Sequence, residues 1–105
     1  EIDNAHIVKV EFNSEMIAKD FFRNPKNKNK NSFYKHYGIY AFKPSILKEL
    51  CDLKPTQNEL SNNLEQLRWL DNNYKIKIMK TKFPNVSIDT KEDIEYLLKK
   101  YSQEL

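Results

Sequence analysis

An alternating stretch near the start of the sequence, His6-Ile7-Val8-Lys9-Val10-Glu11-Phe12, places apolar and polar side chains in turn. A period of two with several β-branched residues is typical of a strand that has one buried face. A turn is predicted at Asn13-Ser14, and Met16–Phe22 can form the second arm of a hairpin. The sequence therefore predicts an antiparallel strand pair as the first unit of the fold.

Three elements are predicted in the middle of the chain. The aromatic-rich run over residues 33–42 predicts a long strand. Pro44 opens a helix, and Thr56 begins another as its N-cap, with Glu59 three residues later as in a capping box. The apolar faces predicted for these two helices consist of Ile46, Leu47, Leu50 and Leu53, and of Leu60, Leu64, Leu67 and Leu70.

The end of the chain predicts one more strand and one more helix. Residues 75–80 alternate cleanly, and a helix starts after Asp89-Thr90 with a packed face of Ile94, Leu97, Leu98 and Tyr101. The Lys/Asn tract over residues 24–31 has no apolar side chain to bury and predicts a mobile loop. The resulting order is β-β-loop-β-α-α-β-α, an α/β fold with a partial mixed sheet and packed helices in a single domain over residues 1–105.

The composition excludes several classes of protein. A chain of 105 residues has room for one domain, and its single glycine excludes the glycine-rich phosphate loops of the Walker and dinucleotide types. The single cysteine, Cys51, excludes an internal disulfide and a four-cysteine zinc site, and a lone thiol suits the cytoplasm. No apolar run approaches the ~20 residues of a membrane helix. The chain begins at Glu1 without an initiator methionine, which indicates a piece of a longer protein.

The charge balance gives only weak support for a nucleic-acid partner. Lysine and arginine number 18 against 15 acidic residues, a net charge of +3. The only arginines are Arg23 and Arg68, whereas proteins that read nucleic acids lean on arginine for bidentate contacts.

His36 is the first candidate for a binding residue. It shares one face of the predicted strand with Tyr34 and Gly38, where a histidine beside a glycine gap could hold a carboxylate or a sugar hydroxyl. The alternative is a partly buried histidine whose ring bonds to a neighbouring backbone group.

Other candidates each carry a functional and a structural interpretation. Arg23 ends the second strand and could clamp a carboxylate or simply be solvated. Asp89 could bind Mg²⁺ or cap the last helix, and one carboxylate rarely makes a magnesium site alone. A row of polar residues on the second helix could read hydroxyl groups or form a solvated face: Glu59, Asn62, Asn63 and Gln66.

Three motifs occur in a fixed order: HYGIYAF over residues 36–42, LEQLR over residues 64–68 and IDTKEDI over residues 88–94. This order closely resembles the C-terminal part of the 3-deoxy-manno-octulosonate (Kdo) cytidylyltransferases, or CMP-Kdo synthetases. That family shows H-x-G-I-Y, L-E-Q-L-R and V-D-T-P-E-D-L at similar separations. The resemblance runs from about Ala5 to Leu98, and it implies the C-terminal portion of a nucleotide-diphospho-sugar transferase-like fold.

The resemblance also implies a reaction and a set of binding residues. Members of the family join CMP from CTP to Kdo with Mg²⁺, release pyrophosphate and serve lipopolysaccharide biosynthesis. By similarity, Arg23 and His36 would hold the sugar acid, and Asp89 would bind the Mg²⁺ ion. Tyr40 and Gln66 would complete the pocket, with Glu59 or Glu65 near the sugar hydroxyls. The resemblance further implies a cytoplasmic homodimer without a membrane segment or a nucleic-acid partner.

Several differences from the family limit what this chain is expected to do alone. The family's N-terminal half, with its glycine-containing nucleotide loop, is missing, so we expect the isolated chain to have no transferase activity. Lys35 replaces an arginine, Asn62 stands where the family often has a glutamate, and residues 85–87 replace a G-T-G turn. The alternative functions are a small basic nucleic-acid-binding module and a structural dimerisation domain without catalysis.

Overall fold

The structure is a computed structural model that describes residues 4–25, 28, 32–83 and 90–101. Within these residues it is an α/β fold, as predicted, with a small antiparallel sheet and helices packed beside it. The strands and helices are β1 (Lys9–Phe12), β2 (Ala18–Phe22), β3 (Phe33–Lys35), α1 (Pro44–Cys51), α2 (Gln57–Asn62), α3 (Gln66–Asp71) and α4 (Lys91–Tyr101).

The predicted hairpin is confirmed as the β1–β2 pair. β1 lies in the centre of the sheet order β2-β1-β3, and Val10 stands opposite Phe21 on β2 and Tyr34 on β3. Asn13 organises the turn, because its side-chain oxygen accepts from the backbone N–H groups of Glu15 (2.9 Å) and Ile17 (3.0 Å). An asparagine that bonds to the backbone ahead of it is a standard way to begin a turn.

The core forms where one face of the sheet meets the helices. Val10 and Phe21 from the sheet pack with Leu64 and Leu67 from the α2–α3 region, and all four are less than 5% exposed. Lys9, on the other face of β1, is fully buried, and its ammonium donates to the carbonyl oxygens of Asn4 and Arg23. These bonds hold the start of the chain against the end of β2.

The long strand predicted over residues 33–42 is wrong beyond residue 35. The last sheet bond on this side runs from the N–H of His36 to the carbonyl oxygen of Val8 (2.9 Å). Before Val8 the neighbouring chain turns away, with the N–H of Ile7 bonded to the carbonyl oxygen of Asn4 (3.0 Å). The sequence favours an extended strand here, but no strand in the described part of the chain lies beside it.

The continuous helix predicted after Thr56 is also wrong, because it divides into α2 and α3. The capping box of Thr56 and Glu59 is confirmed. Asn63 then takes a left-handed conformation with φ 54°, which ends α2. The four leucines predicted for one helix therefore do not share a single apolar face across α2 and α3. Leu60 is therefore 63% exposed, whereas Glu59 is buried. The predicted end at Asp71–Asn73 is confirmed, with Asn73 at φ 66°.

Of the two elements predicted at the end of the chain, the helix forms and the regular strand does not. Residues 75–80 are not a regular strand, because their backbone pairs with the sheet at an isolated bridge between Ile17 and Lys77, but Ile76 and Ile78 are half-buried against the core as the alternation predicts. The helix α4 is confirmed, but its apolar face is not packed, since Ile94 and Leu98 are about half exposed. Most of the Lys/Asn tract lies outside the described residues; Lys28 is described, and its ammonium lies 3.3 Å from the carboxylate of Asp20.

The first testable prediction compares the same substitution at a buried and an exposed position. Leu67 is 2% exposed in the core and Leu60 is 63% exposed, and both lie on short helices. We expect Leu67→Ala to lower the free energy of unfolding by about 2–5 kcal/mol, because it removes buried methyl groups and leaves a cavity. Leu60→Ala should change it by less than about 0.5 kcal/mol. Urea unfolding followed by circular dichroism measures both, and equal losses would contradict this core.

Candidate functional site

A cleft of about 1170 Å³ opens between residues 34–43 and residues 74–82. Aromatic rings form part of its wall. The Trp69 ring meets the rings of Tyr40 and Phe42 edge to face, with centroids 5.2 and 5.4 Å apart. Such pairs are favourable beyond the area they bury, so this wall is rigid and mostly apolar.

His36 and Tyr40 form a hydrogen-bonded pair in this cleft. The hydroxyl of Tyr40 lies 2.7 Å from Nε2 of His36, and the imidazole and the Phe21 ring pack edge to face with their centroids 5.1 Å apart. Burial lowers the pKa of His36, so the ring is neutral at pH 7. Burial, and secondarily the charge of Glu65, raises the pKa of Tyr40 to about 12. The Tyr40 hydroxyl is therefore protonated at pH 7, and which partner donates in this bond depends on which nitrogen of the neutral His36 ring carries its proton.

The cleft carries only positive charge. Its lining includes no aspartate or glutamate among the described residues, and it includes six lysines: Lys35, Lys43, Lys75, Lys77, Lys80 and Lys82. The Lys80 ammonium also lies over the Tyr34 ring, 4.7 Å from its centroid. A cleft with charges of one sign on low-dielectric walls attracts ions of the opposite sign. The arrangement therefore suits an anion with an apolar or hydroxyl-bearing body.

Arg23 lies outside the lining of this cleft and contacts the end of α2. Its guanidinium donates to the carbonyl oxygens of Asn62 (3.4 Å), Asn63 (3.3 Å) and His6 (3.5 Å). These carbonyls belong partly to the end of α2, where the backbone acceptors lack helical partners. Arg23 thus joins the end of β2 to the turn that leads into α3.

Glu59 and Glu65, the two alternatives near the sugar hydroxyls, have different surroundings. The two Glu59 oxygens accept from Nε (2.7 Å) and Nη2 (2.6 Å) of Arg68, and Oε1 also accepts from the backbone N–H of Thr56 (3.2 Å). Glu65 is exposed at the start of α3, and its charge lies close enough to raise the pKa of Tyr40. Of these two carboxylates, the geometry leaves Glu65 accessible to a ligand.

The structure brings His36 and Tyr40 together and places the remaining site residues around the α2–α3 turn. Gln66 is buried as the first residue of α3, next to Glu65. Asp89 lies outside the described residues. Thr90 caps α4 there, because its hydroxyl accepts from the N–H of Asp93 (3.2 Å) and its own N–H donates to the Asp93 carboxylate (3.0 Å).

The described residues contain neither a metal-binding cluster nor a membrane-spanning helix. No group of three or more histidine, cysteine, aspartate or glutamate side chains in that part of the chain could hold a metal ion. None of its helices is both long and apolar enough to cross a membrane.

Sequence reasoning missed three features of the site. Trp69, directly after the LEQLR motif, anchors the aromatic wall, and Arg68, the last residue of that motif, holds Glu59. The third is the row of lysines at 75, 77, 80 and 82 along the cleft, although the alternation over residues 75–80 places several of these charges on one side.

Similar proteins share one name. No family model matches the chain. The 3-deoxy-manno-octulosonate cytidylyltransferase of Parabacteroides distasonis is 48% identical over 68 residues, which cover 65% of this chain and 27% of the relative. That of Chlorobium phaeobacteroides is 34% identical over 109 residues, which cover 99% of this chain and 44% of the relative. The chain thus spans less than half the length of these curated relatives.

A solved structure has the same fold over this part of its length. It is that of a CMP:2-keto-3-deoxy-manno-octonic acid synthetase complexed with CTP. The match has a TM-score of 0.85 at 28% sequence identity, and it covers 99% of this chain and 45% of the solved chain.

The His36–Tyr40 pair generates a prediction about titration. Because burial favours the neutral imidazole, the His36 ring should titrate below its usual value of 6.5. The Tyr40→Phe variant should move the midpoint further down, since the charged ring loses an oxygen to which its Nε2–H donates a charge-assisted hydrogen bond. Carbon-13 NMR of the imidazole measures both midpoints. A wild-type midpoint at or above 6.5 would contradict the buried pair.

The Glu59–Arg68 pair generates a prediction about acid stability. Hydrogen bonds from Arg68 lower the pKa of Glu59 below its usual value of 4.5, so the unfolded chain binds this proton more readily. The stabilisation is complete above pH 4.5 and is lost as the pH falls through the lower pKa of the folded state. Urea midpoints between about pH 7 and pH 3 should fall less steeply for Glu59→Gln than for the wild type. Glu95→Gln, at an exposed carboxylate, is the control and should keep the wild-type slope.

Proposed function

This chain is related to the carboxyl-terminal part of the 3-deoxy-manno-octulosonate cytidylyltransferases, and we propose that it forms the sugar-acid side of such an enzyme. The observation that carries the proposal is the match to a solved CTP complex over 99% of this chain with a TM-score of 0.85. The relatives' shared name supplies the proposed substrates, CTP and Kdo.

The proposed reaction transfers CMP from CTP to Kdo. The anomeric hydroxyl oxygen of the sugar forms a bond to the α-phosphorus, the bond from that phosphorus to the pyrophosphate oxygen breaks, and the hydroxyl proton is released. Binding residues accelerate such a step chiefly by holding the two reactants in line. In this proposal the residues of this chain bind the sugar. Its single glycine excludes a glycine-rich phosphate loop within these 105 residues, so the triphosphate is bound by another part of the enzyme.

The proposed sugar site begins with the His36–Tyr40 pair. The His36 ring and the hydroxyl of Tyr40 can both donate hydrogen bonds, and the described lining of the cleft adds six lysines and no carboxylate, which supports binding of the sugar's carboxylate here. Gln66 and Glu65 would complete the pocket from the start of α3, with Glu65 accepting from sugar hydroxyls. The guanidinium of Arg23, which lies at the α2–α3 turn, would hold the sugar acid from there.

Glu59 has a different proposed role from the one implied by resemblance. Because Arg68 and Thr56 occupy its oxygens, we assign it to holding the α2–α3 turn in place. Glu65 is then the carboxylate proposed to accept hydrogen bonds from the sugar hydroxyls.

Three further expectations concern the whole enzyme. Asp89 remains the residue proposed for Mg²⁺, and the described residues do not by themselves fit such a site, so no step above depends on the ion. A cytoplasmic location is supported by Cys51, which is an exposed free thiol. A homodimer is proposed from the resemblance, with lipopolysaccharide biosynthesis as the pathway served.

The isolated chain should show no transferase activity. With CTP, Kdo and Mg²⁺ present, pyrophosphate release measured by a coupled phosphate assay should stay at the background rate. The reason is that the chain has no glycine-rich loop to bind the triphosphate. Release that depends on both CTP and Kdo would contradict this division of roles.

Kdo binding tests the pocket without requiring catalysis. Titration with Kdo should shift the His36 ring signals, and Tyr40→Phe should raise the Kd about tenfold, the effect of one hydrogen bond to a charged ligand. Tyr96→Phe, at an exposed tyrosine of α4, is the matched control and should bind as the wild type does. The absence of any shift in the wild type would favour a structural domain without a retained pocket, as would an unchanged Kd for Tyr40→Phe.

A further inference from the structure

Lys9 carries a buried charge that the proposed sugar site does not use. It lies on the central strand β1, and its side chain is 0% exposed. Taking a charged group out of water is costly unless hydrogen bonds replace the lost water. The Lys9 ammonium donates to the carbonyl oxygens of Asn4 (2.7 Å) and Arg23. The second of these carbonyls belongs to a residue that is proposed to hold the sugar acid.

The position of Lys9 in the sheet relates it to two residues of the proposed sugar site. It stands opposite Phe22 on β2 and opposite Lys35 on β3. These two residues directly precede Arg23 and His36 in the sequence. Because strand register decides which backbone groups stand side by side, Lys9 lies one position along the sheet from both residues proposed to hold the sugar acid.

The backbones of these two residues are held to β1 by different bonds. The N–H of His36 donates to the carbonyl oxygen of Val8 (2.9 Å), which is an ordinary bond between strands. Arg23 comes directly after the end of β2, and its carbonyl oxygen accepts from the Lys9 side chain. The ammonium therefore holds the Arg23 backbone against β1 at the point where β2 has ended.

The guanidinium of Arg23 is half-buried and is held by long hydrogen bonds. Its N–H groups donate to the carbonyl oxygens of His6 (3.5 Å), Asn62 (3.4 Å) and Asn63 (3.3 Å). Bonds of this length are weaker than the ~2.9 Å bonds that are most common in proteins. A guanidinium held in this way can exchange neutral carbonyl oxygens for those of a carboxylate, which are stronger acceptors. Its position then depends on the backbone from which it projects.

We propose that Lys9 is a positioning residue for binding of the sugar acid. Its ammonium fixes the Arg23 backbone beside β1, so that the guanidinium lies where it can donate to the sugar's carboxylate. Lys9 does not touch the ligand, because its side chain is fully buried. This inference rests on the proposed function, and its first test is made without any sugar.

The first test is NMR of the chain alone. A scalar coupling across the hydrogen bond should connect Nζ of Lys9 with the carbonyl carbon of Arg23. The heteronuclear NOE at Nε of Arg23 should be that of an ordered side chain in the wild type and that of a mobile one in Lys9→Met, which keeps an apolar stem without a donor. Lys19→Met, the same substitution at an exposed lysine of β2, is the control and should leave this NOE unchanged.

Either NMR measurement can overturn the proposal. Absence of the coupling would do so, and it is measured in the wild type, whether or not Lys9→Met folds. Circular dichroism checks the folding of each variant. An Arg23 NOE that is the same in folded Lys9→Met as in the wild type would also contradict a positioning role.

The second test shows whether Lys9 acts through Arg23. The Kd for Kdo is measured for the wild type, Lys9→Met, Arg23→Ala and the double variant. We expect Lys9→Met to raise the Kd about tenfold in the wild type but less than about twofold in the Arg23→Ala background, where no guanidinium is left to position. Equal fold-changes in the two backgrounds would indicate a general structural loss and would overturn the proposal.

The outcomes separate this inference from the proposed function. If the wild type does not bind Kdo but the Arg23 NOE depends on Lys9, the proposed function is contradicted and the link from Lys9 to Arg23 remains. If the wild type binds Kdo but the Arg23 NOE does not depend on Lys9, the positioning role is contradicted and the proposed function remains.

Discussion

The ion pair between Glu59 and Arg68 holds together the part of the fold on which the candidate site depends. Two short bonds of 2.6 and 2.7 Å join the carboxylate to the guanidinium, and Nη1 of Arg68 also reaches the carbonyl oxygen of Leu53 (3.4 Å). One side chain of α3 therefore fixes the segment after α1 and the first turn of α2. A bidentate, partly buried pair of this kind fixes the relative orientation of its two side chains more strictly than a pair in solvent does. Its neighbours on α3, Leu67 and Trp69, then point into the core and the cleft wall.

The parts of the fold that could be predicted from sequence are those fixed by local chemistry. The β1–β2 hairpin follows from alternation and from Asn13, and the start of α2 follows from the capping box at Thr56. The predictions were wrong where the structure of a segment depends on contacts with residues that are distant in the sequence. Residues 36–42 have the pattern of a strand but lack a partner strand within the described residues, so propensity alone could not form one. The break at Asn63 has no proline or glycine to announce it, since asparagine is also found inside helices.

The candidate site was predictable to a similar extent. Its motifs marked His36, Tyr40 and the α2–α3 turn, and the structure joins the first two by a hydrogen bond. Sequence spacing could not show that Glu59 and Gln66 are buried while Asn62 is exposed, because that depends on the rotation introduced at Asn63. It also could not show the lysine-lined cleft, since residues 34–43 and 74–82 come together only through the fold. The single glycine of the chain, Gly38, lies in the irregular segment that follows β3.

The proposed function depends on binding of a sugar acid's carboxylate in the positively charged cleft. Calorimetric titration at pH 7 with Kdo and with its methyl ester tests this most directly, because esterification removes the charge that the lysines and the His36–Tyr40 pair would recognise and adds only a methyl group. We expect binding of the acid and at least about tenfold weaker binding of the ester, the effect of one charged hydrogen-bonded group. Equal affinity for the two ligands, or no binding of the acid, would contradict it.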